Sequence, residues 1–289
     1  MKVCVLGAGG LLGHMLIRVL GETIDVYGTT RELRSISSPL ARFLPQDKWI
    51  DNVDASKLDS INKVFGTTNF DTVINCIGLI KQRNAQTTEY EMMLINAEFP
   101  HRLAQVANQQ GAQVIHISTD CVFSGEKGNY VESDKPDPVD IYGKSKLLGE
   151  LNDSRNLTLR TSHIGRELTI RKSFIEWLLS QKGGHVKGYG HAIYSGLTSQ
   201  ELARLIRELL TANKGLTGMF HVSSQPISKL EIINKLNELL NLDIKVISDS
   251  KVQINRSLNS DKFRLATNLT PNDWDQMLFD FGKDQKNYE

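Results

Sequence analysis

The 289-residue sequence predicts an α/β protein with a doubly wound parallel sheet and a smaller, mostly helical C-terminal lobe. Short β-branched runs alternate with longer helical patterns through the first half, which is typical of parallel strands joined by right-handed crossovers. The first run leads directly into a cluster of glycines, a composition that suits a strand-to-helix turn. Helical patterns predominate in the second half, which predicts a lobe outside the sheet.

The elements follow from the positions of the apolar runs. Six runs predict strands, at 3–6, 24–27, 49–53, 72–76, 114–117 and 157–160. Helical patterns lie between them at 11–20, 57–65 and 92–107, and Pro100 is expected to kink the last of these. A stretch rich in Gly, Pro, Ser and Asp predicts a long loop over the sheet edge at 124–140.

Two patterns of the capping-box form predict helix starts in the second half. Thr198 is followed by Glu201, and Ser228 by Glu231, each just before an apolar-periodic run. Asn241 can end the second of these helices. These features indicate structure and no chemistry.

Charge and composition exclude several classes of function. Lys and Arg total 34 against 33 for Asp and Glu, so the chain lacks the basic field that attracts nucleic acid. Three scattered cysteines are too few for a disulfide framework or a metal cluster, and they favour the reducing cytoplasm. No apolar stretch reaches the ~20 residues of a membrane span. Glycines interrupt the N-terminal apolar run, which argues against a secretory signal.

The glycine cluster after the first strand predicts a phosphate-binding turn. Gly7, Gly10 and Gly13 form a GxxGxxG spacing, which suits a tight bend, close approach of backbone to a pyrophosphate, and close packing of helix on strand. Amides at the helix start, at Leu11 and Leu12, would face the phosphates. We therefore expect a Rossmann-type dinucleotide-binding domain at 1–165, with later contributions near 190–223.

The end of the second strand indicates which dinucleotide binds. An acid there would hold the ribose hydroxyls of NAD, whereas an arginine accommodates the extra phosphate of NADP. The chain reads Thr29, Thr30, Arg31, with Arg34 one turn further on. Thr29 and Arg31 are therefore predicted cofactor contacts, and NADPH is favoured while NADH stays open. The alternative is that both arginines are only solvated.

A tyrosine and a lysine at helical spacing predict a proton-delivery pair. Tyr142 and Lys146 share one face of a predicted helix, so both can point into one cleft. The ammonium would favour the phenolate and lower the tyrosine pKa from its usual value near ~10. The phenol would protonate an alkoxide as hydride arrives, and the lysine can also bind the nicotinamide ribose.

Polar residues end the fifth predicted strand, at the carboxyl edge where doubly wound sheets bind ligands. Ser118, Thr119 and Asp120 occupy this position. A hydroxyl of Thr119 or Ser118 can donate to a substrate carbonyl as charge develops on its oxygen. The alternative for either hydroxyl is ordinary capping of the strand end.

Together these residues resemble the extended short-chain dehydrogenase/reductase family, and within it the dTDP-4-dehydrorhamnose reductase branch. The shared blocks are the GxxGxxG turn, 73–76 (VINC), 95–97 (INA) with Pro100, 118–123 (STDCVF), 142–150 (YGKSKLLGE), 159–162 (LRTS) and 256–260 (RSLNS). The resemblance spans nearly the whole chain and is most specific at 114–150.

The resemblance implies an activity and assigns roles. It implies NADPH-dependent reduction of the 4-keto group of a nucleotide-linked 4-keto-6-deoxy sugar, in deoxysugar or polysaccharide biosynthesis. Thr119, Tyr142 and Lys146 would carry catalysis, and the lobe at 166–289 would bind the nucleotide sugar. Further cofactor contacts are expected at Asp51, Gly78, Leu79 and Ile117, and substrate contacts at Thr119, Asp120 and His163. The partner is then this small molecule, with a homodimer left open.

The chain departs from the branch beside the expected sugar site. Residues 76–82 replace small alanines and an acidic stretch, Cys121 replaces an aromatic residue, and His163 stands where tryptophan is usual. These departures leave the identity of the sugar open.

Three alternatives share the fold. A 4,6-dehydratase needs Asp then Glu after the threonine, but Asp120 is followed by Cys121. An epimerase favours an acid at the end of the second strand, and none is present. A non-catalytic regulatory subunit, like that of methionine adenosyltransferase, would keep the cofactor fold, although the full set of Thr119, Tyr142 and Lys146 argues for catalysis.

Overall fold

The predicted alternation of strands and helices is present in the structure, a computed structural model that describes residues 1–32, 41–66, 68–80, 87–168, 171–212 and 215–288. The strands described are β1 (Lys2–Leu6), β2 (Asp25–Thr29), β3 (Trp49–Ile50), β4 (Thr72–Asn75), β5 (Gln113–Thr119), β6 (Leu157–Thr161), β7 (His163–Ile164), β8 (His185–Tyr189), β9 (Ala192–Tyr194), β10 (Leu197–Thr198), β11 (Gly218–His221), β12 (Ile227–Ser228), β13 (Lys245–Asp249) and β14 (Ile254–Asn255). The helices described are α1 (Gly13–Leu20), α2 (Ile61–Val64), α3 (Glu89–Met93), α4 (Phe99–Gln109), α5 (Ile141–Leu148), α6 (Phe174–Ser180), α7 (Ser199–Thr211), α8 (Lys229–Leu239), α9 (Asp261–Thr267) and α10 (Trp274–Asp284).

The central sheet is parallel, with seven strands among the described residues in the order β3-β2-β1-β4-β5-β6-β11. β1 pairs with β2 on one side and β4 on the other, so the direction of winding reverses between β1 and β4. Doubly wound sheets bind ligands at such a switch point, outside the carboxyl ends of the strands. The predicted fold class is confirmed, and β11 adds a strand from the second half of the chain.

Both faces of the sheet are covered by apolar packing. In β1, Val3 and Val5 belong to the core cluster that includes α1 and α7, whereas Cys4 and Leu6 belong to the cluster that includes α4. This alternation is the strand period of two, and burial on both faces is typical of parallel sheets.

Some predicted elements are shorter than expected. The run at 49–53 forms a strand only over β3, because Asn52 adopts a left-handed φ of +59° that ends the extended backbone. The first helix begins at Gly13 instead of 11, since the glycine turn continues up to that residue. The helix expected at 57–65 is reduced to α2 with a preceding 3-10 turn.

The helix expected at 92–107 begins earlier and is interrupted before Pro100. A π-helical segment, Leu94–Glu98, separates α3 from α4. Pro100 lies in the first turn of α4, where its missing N–H leaves no ladder bond open. The helix begins at Glu89 because Thr88 and Glu91 form a complete capping box.

Short sheets and capped helices build the C-terminal lobe. β9 pairs with both β12 and β14, and β8 pairs with β13. Thr198 and Ser228 cap α7 and α8 as predicted, accepting from the amides of Glu201 and Glu231 at 3.2 and 3.0 Å. Of the helices in the described ranges, none has the length and apolar character to cross a membrane.

A buried ion pair joins β6 to the end of α5. Arg160 donates to both carboxylate oxygens of Glu150, at 2.8 and 2.7 Å, and each side chain is only 3% exposed. The guanidinium also lies 5.2 Å from the centre of the Phe123 ring. The pair therefore holds the strand beside the candidate site against the helix that carries Tyr142 and Lys146.

Replacement of Arg160 by Met is expected to lower the free energy of unfolding by about 3–5 kcal/mol, because it leaves the Glu150 carboxylate buried without its partner. Urea unfolding measures this loss. Arg207→Met is the matched control, since its partner Glu22 is 65% exposed, and it should cost less than about 1 kcal/mol. Equal losses in the two variants would contradict the assigned role of the buried pair.

Candidate active site

The glycine turn forms a tight connection between β1 and α1. Gly7 has a φ of +73°, and its carbonyl accepts from the Gly10 amide at 2.9 Å. A Cβ on Gly13 would overlap the Gly7 carbonyl oxygen, so only glycine allows the helix to start this close to the strand. The Gly7 amide donates to the Thr29 hydroxyl at 3.2 Å. Thr29, a predicted cofactor contact, thus supports the turn itself.

The C-terminal tail supports this turn from behind. Nδ1 of His14 lies 2.8 Å from the Gly10 carbonyl oxygen, and Nε2 lies 2.7 Å from the Tyr288 hydroxyl. Burial lowers the pKa of His14 to about 4, so the ring is neutral. Arg18 binds Asp284 through two hydrogen bonds and fixes the same tail to α1. No local sequence pattern indicates these contacts, because the partners are far apart along the chain.

On the expected adenosine side of the cofactor site, a carboxylate oxygen of Asp51 lacks a hydrogen-bond partner within the described ranges. Asp51 follows β3, and its Oδ1 is buried without a hydrogen-bond partner within the described ranges. Oδ2 accepts from the Asn52 amide group at 2.9 Å. Buried carboxylate oxygens are normally hydrogen-bonded, so this atom suits a donor from a bound molecule. Arg31 is exposed just after β2. Arg34 and residues 81–82 of the departing segment 76–82 lie outside the described residues.

Lys146 is buried at the carboxyl end of β5. Its side chain is 4% exposed, and its ammonium donates to the Ile117 carbonyl oxygen at 2.7 Å. Nε2 of His116 lies 3.3 Å from the same nitrogen, and Asn75 contacts the other ring nitrogen at 3.1 Å. Burial lowers the pKa of Lys146 to about 8, opposed by the charge of Glu150.

Tyr142 lies one turn before Lys146 on α5. Burial raises the pKa of its phenol, whereas hydrogen bonding with Thr119 lowers it. We expected the neighbouring Lys146 ammonium to lower this pKa, and that prediction is wrong. The ammonium donates to the Ile117 carbonyl instead, and burial is the largest effect on the pKa of the phenol. The phenol is therefore protonated at neutral pH, which is the form that a proton donor needs.

The two hydroxyls at the end of β5 have different surroundings. Ser118 donates to Glu150 at 2.7 Å, inside the buried ion pair. The Thr119 hydroxyl donates to Asp120 at 3.2 Å, accepts from the Cys121 amide at 3.2 Å, and lies within hydrogen-bonding reach of Tyr142. The structure therefore brings Thr119 together with Tyr142 and directs Ser118 elsewhere.

Asn96 joins the loop after β4 to α5, a role that sequence reasoning missed. Its side chain exchanges hydrogen bonds with the Leu79 amide and carbonyl, at 2.8 and 2.9 Å, and donates to the Ser145 hydroxyl at 3.0 Å. A Cβ on Gly78 would lie 4.0 Å from the Lys146 ammonium. The predicted cofactor contacts Gly78 and Leu79 thus border Lys146. A polar residue inside the apolar pattern of 95–97 was the available signal.

Two cysteines that depart from the family pattern have no acid–base capacity at neutral pH. Burial raises the pKa of the Cys76 and Cys121 thiols to about 12, so both stay protonated. His163 lies half-buried in β7, opposite Leu197 of β10. These side chains can shape a pocket, and the thiols cannot act as bases.

Groups of the C-terminal lobe reach the end of β5. Burial raises the pKa of the Asp120 carboxyl, and the charges of Arg256 and Lys229 oppose this. Arg256 contacts the Cys121 thiol at 3.5 Å and donates to the Phe123 carbonyl at 3.0 Å. The candidate site therefore lies where the two parts of the chain meet, with the glycine turn on one side and the Tyr142 phenol on the other.

This fold and this arrangement of a glycine turn with a Thr, Tyr and Lys set define an extended short-chain dehydrogenase/reductase. The profile of the family described as RmlD substrate binding domain matches residues 1–279, and the chain belongs to that family.

Named relatives agree with this assignment. The chain is 29% identical over 262 residues to a protein of Haloferax volcanii named probable low-salt glycan biosynthesis reductase, with 86% of this chain and 84% of that protein covered. It is 28% identical over 241 residues to the dTDP-4-dehydrorhamnose reductase of Burkholderia thailandensis, covering 78% and 73% of the two chains. The structure of the dTDP-4-dehydrorhamnose reductase of Bacillus anthracis, solved in complex with NADP, superposes with a TM-score of 0.81 at 23% identity, covering 98% and 99%.

Replacement of Lys146 by Met should give a variant whose stability relative to the wild type depends on pH. Between about pH 8 and the usual lysine pKa near ~10.4, the unfolded wild type holds a proton that the folded one does not, so wild-type stability rises with pH. The Met variant has no ammonium at this position, so its free energy of unfolding relative to that of the wild type should fall as pH rises from ~7 to ~10. Urea unfolding at several pH values measures this difference, and a constant difference would contradict the lowered pKa.

Proposed function

We propose that the protein reduces the 4-keto group of a nucleotide-linked 4-keto-6-deoxy sugar with NADPH, in deoxysugar or polysaccharide biosynthesis in the cytoplasm. The observation that carries the proposal is the meeting of Thr119, Tyr142 and Lys146 at the carboxyl edge of the sheet, beside the glycine turn. Family membership and the names of the relatives support the same reaction class.

The residues present fit a bound dinucleotide. The glycine turn leaves room for backbone approach to a pyrophosphate at the start of α1. The unpaired Asp51 oxygen suits the amino group of an adenine, and the exposed Arg31 suits a 2′-phosphate, which favours NADPH. NADPH, when bound, supplies the hydride that reduces the keto carbon.

The side chains of the protein handle the proton and the charge. The Thr119 hydroxyl donates to the keto oxygen as negative charge develops there. Tyr142 gives its phenolic proton to the same oxygen, and its raised pKa keeps that proton available at neutral pH. Lys146, held by the Ile117 carbonyl at 2.7 Å, would hold the ribose of the bound nicotinamide.

The dehydratase alternative is disfavoured by the side chain after Asp120. Elimination of water needs a base at this position, and burial raises the pKa of the Cys121 thiol to about 12. A protonated thiol is not a base at neutral pH. Reduction requires no group at this point, so it agrees better with the site.

Incubation of the purified protein with NADPH and a panel of nucleotide-linked 4-keto sugars tests the proposal. We expect loss of NADPH absorbance with dTDP-linked 4-keto-6-deoxy sugars and a slower reaction with NADH. NADPH binding without reduction of any sugar would instead favour a non-catalytic subunit.

Replacement of Tyr142 by Phe should lower kcat by about 10²–10⁴-fold, because the ring remains and the proton donor is lost. Fluorescence titration should show unchanged affinity for NADPH. Tyr90→Phe is the control, since Tyr90 is 75% exposed, and it should retain full activity. Full activity of the Tyr142 variant would remove the proposed mechanism.

The two neighbouring hydroxyls should differ in their effect on turnover. Replacement of Thr119 by Val should reduce kcat by at least about tenfold, since one hydrogen bond to the developing oxyanion is lost. Replacement of Ser118 by Ala should leave kcat nearly unchanged and lower stability by about 1 kcal/mol, because its hydroxyl serves Glu150. The opposite ranking of kcat values would assign the oxyanion contact to Ser118.

A further inference from the structure

Tyr194 carries a hydroxyl that the fold itself does not satisfy. The residue is 4% exposed, and its hydroxyl oxygen has no hydrogen-bond partner within the part of the chain that the structure describes. A buried polar group that is left unpaired destabilises the folded state, so such groups are rare unless a ligand satisfies them. Burial raises the pKa of this phenol and the charge of Asp120 raises it further, which puts the two groups within electrostatic reach.

Lys229 lies directly against this tyrosine. The pairing of β9 with β12 sets Ile227 opposite Tyr194, and Lys229 begins α8 just after that strand. Its ammonium lies 4.0 Å from the centre of the Tyr194 ring and 5.1 Å from that of Phe174. Within the described residues these rings are its direct contacts, so its three N–H groups are available to an acceptor.

The two side chains belong to a part of the lobe that contacts the end of β5. The Arg256 amide donates to the carbonyl of Ile193, the neighbour of Tyr194 on β9, at 3.0 Å, and its guanidinium contacts the Cys121 thiol at 3.5 Å.

Asp120 lies at the same end of β5, where it accepts from the Thr119 hydroxyl at 3.2 Å. The charge of Asp120 acts on both Tyr142 and Tyr194, and it opposes the effect of burial on the pKa of Lys229. The C-terminal lobe thus brings an ammonium and a hydroxyl within electrostatic reach of Asp120.

We propose that Lys229 and Tyr194, with Asp120, bind the hydroxyl on the ring carbon next to the keto group, the C3 hydroxyl of the sugar. This inference rests on the proposed function. An ammonium only donates hydrogen bonds and a carboxylate only accepts them, whereas a sugar hydroxyl does both. Of the two carbons that flank C4 in a 4-keto-6-deoxy hexose, C3 carries a hydroxyl and C5 carries a methyl group and the ring oxygen. A polar subsite beside the keto oxygen therefore fits C3.

Binding of the sugar is best measured in a Tyr142→Phe background, where turnover does not consume the ligand. Three probes are titrated: a dTDP-linked 4-keto-6-deoxy hexose, its 3-deoxy analogue, and dTDP alone. Adding Lys229→Met should weaken the parent sugar about 10- to 100-fold, as expected for a lost charged hydrogen bond. Affinity for dTDP should not change, and the 3-deoxy analogue should bind both proteins equally.

Two further variants complete the test. Tyr194→Phe removes only the unpaired hydroxyl, so it should fold normally and weaken the parent sugar severalfold. Lys235→Met on the same helix is the control, because its ammonium pairs with Asp275 at the surface, 2.7 Å away, and it should bind all three probes like the parent protein.

The outcomes separate this inference from the proposed function. Unchanged sugar affinity in Lys229→Met, or an equal loss on the 3-deoxy analogue, would overturn the C3 assignment. A parallel loss of dTDP affinity would show that Lys229 binds the diphosphate instead. If the wild type reduces no sugar while the titrations show the expected pattern, the proposed function fails and the subsite stands.

Discussion

The hydrogen bond from the Lys146 ammonium to the Ile117 carbonyl, 2.7 Å long, joins α5 to the end of β5. The helix can approach this closely because glycines lie at two of its other contacts, at positions 143 and 149. A Cβ on Gly143 would overlap the Cys121 carbonyl oxygen, and one on Gly149 would overlap the Asn96 carbonyl oxygen. With α5 fixed in this way, Tyr142 lies beside Thr119.

Burial of charge is the second constraint on this site. The carboxyl edge of the sheet gathers Lys146, Asp120 and the pair of Glu150 with Arg160, all nearly inaccessible to water. Each isolated charge would be costly, and the Arg160 pair offsets this for Glu150. The others remain with shifted pKa values, which is typical of functional sites.

Local signals predicted most of the sheet and the residues that meet at the candidate site. The β-branched runs of 3–6 and 114–117, the GxxGxxG spacing and the four-residue separation of Tyr142 from Lys146 are all properties of short segments. Each constrains the backbone within one or two turns, so sequence reasoning reached them. The predicted direction of the Tyr142 pKa shift was wrong, because burial by distant segments outweighs the charge of Lys146 on the same helix.

The missed features depend on contacts between distant parts of the chain. His14 binds Tyr288, Lys229 lies over Tyr194, and neither pair has a periodic signature. The π-helical segment before Pro100 also depends on tertiary packing, since Asn96 bonds to both Leu79 and Ser145. Sequence resemblance indicated the family, whereas the proposed sugar subsite depends on contacts between the C-terminal lobe and the end of β5.

In the proposed reaction a hydride passes from NADPH to C4 of a nucleotide-linked keto sugar. The most direct measurement of this transfer uses NADPH in which both hydrogens at the dihydronicotinamide C4 are deuterium, with mass spectrometry and NMR of the sugar product. We expect one deuterium per product, bound at C4 of the sugar. Oxidation of NADPH with no deuterium in the product, or with deuterium at another carbon, would contradict the account.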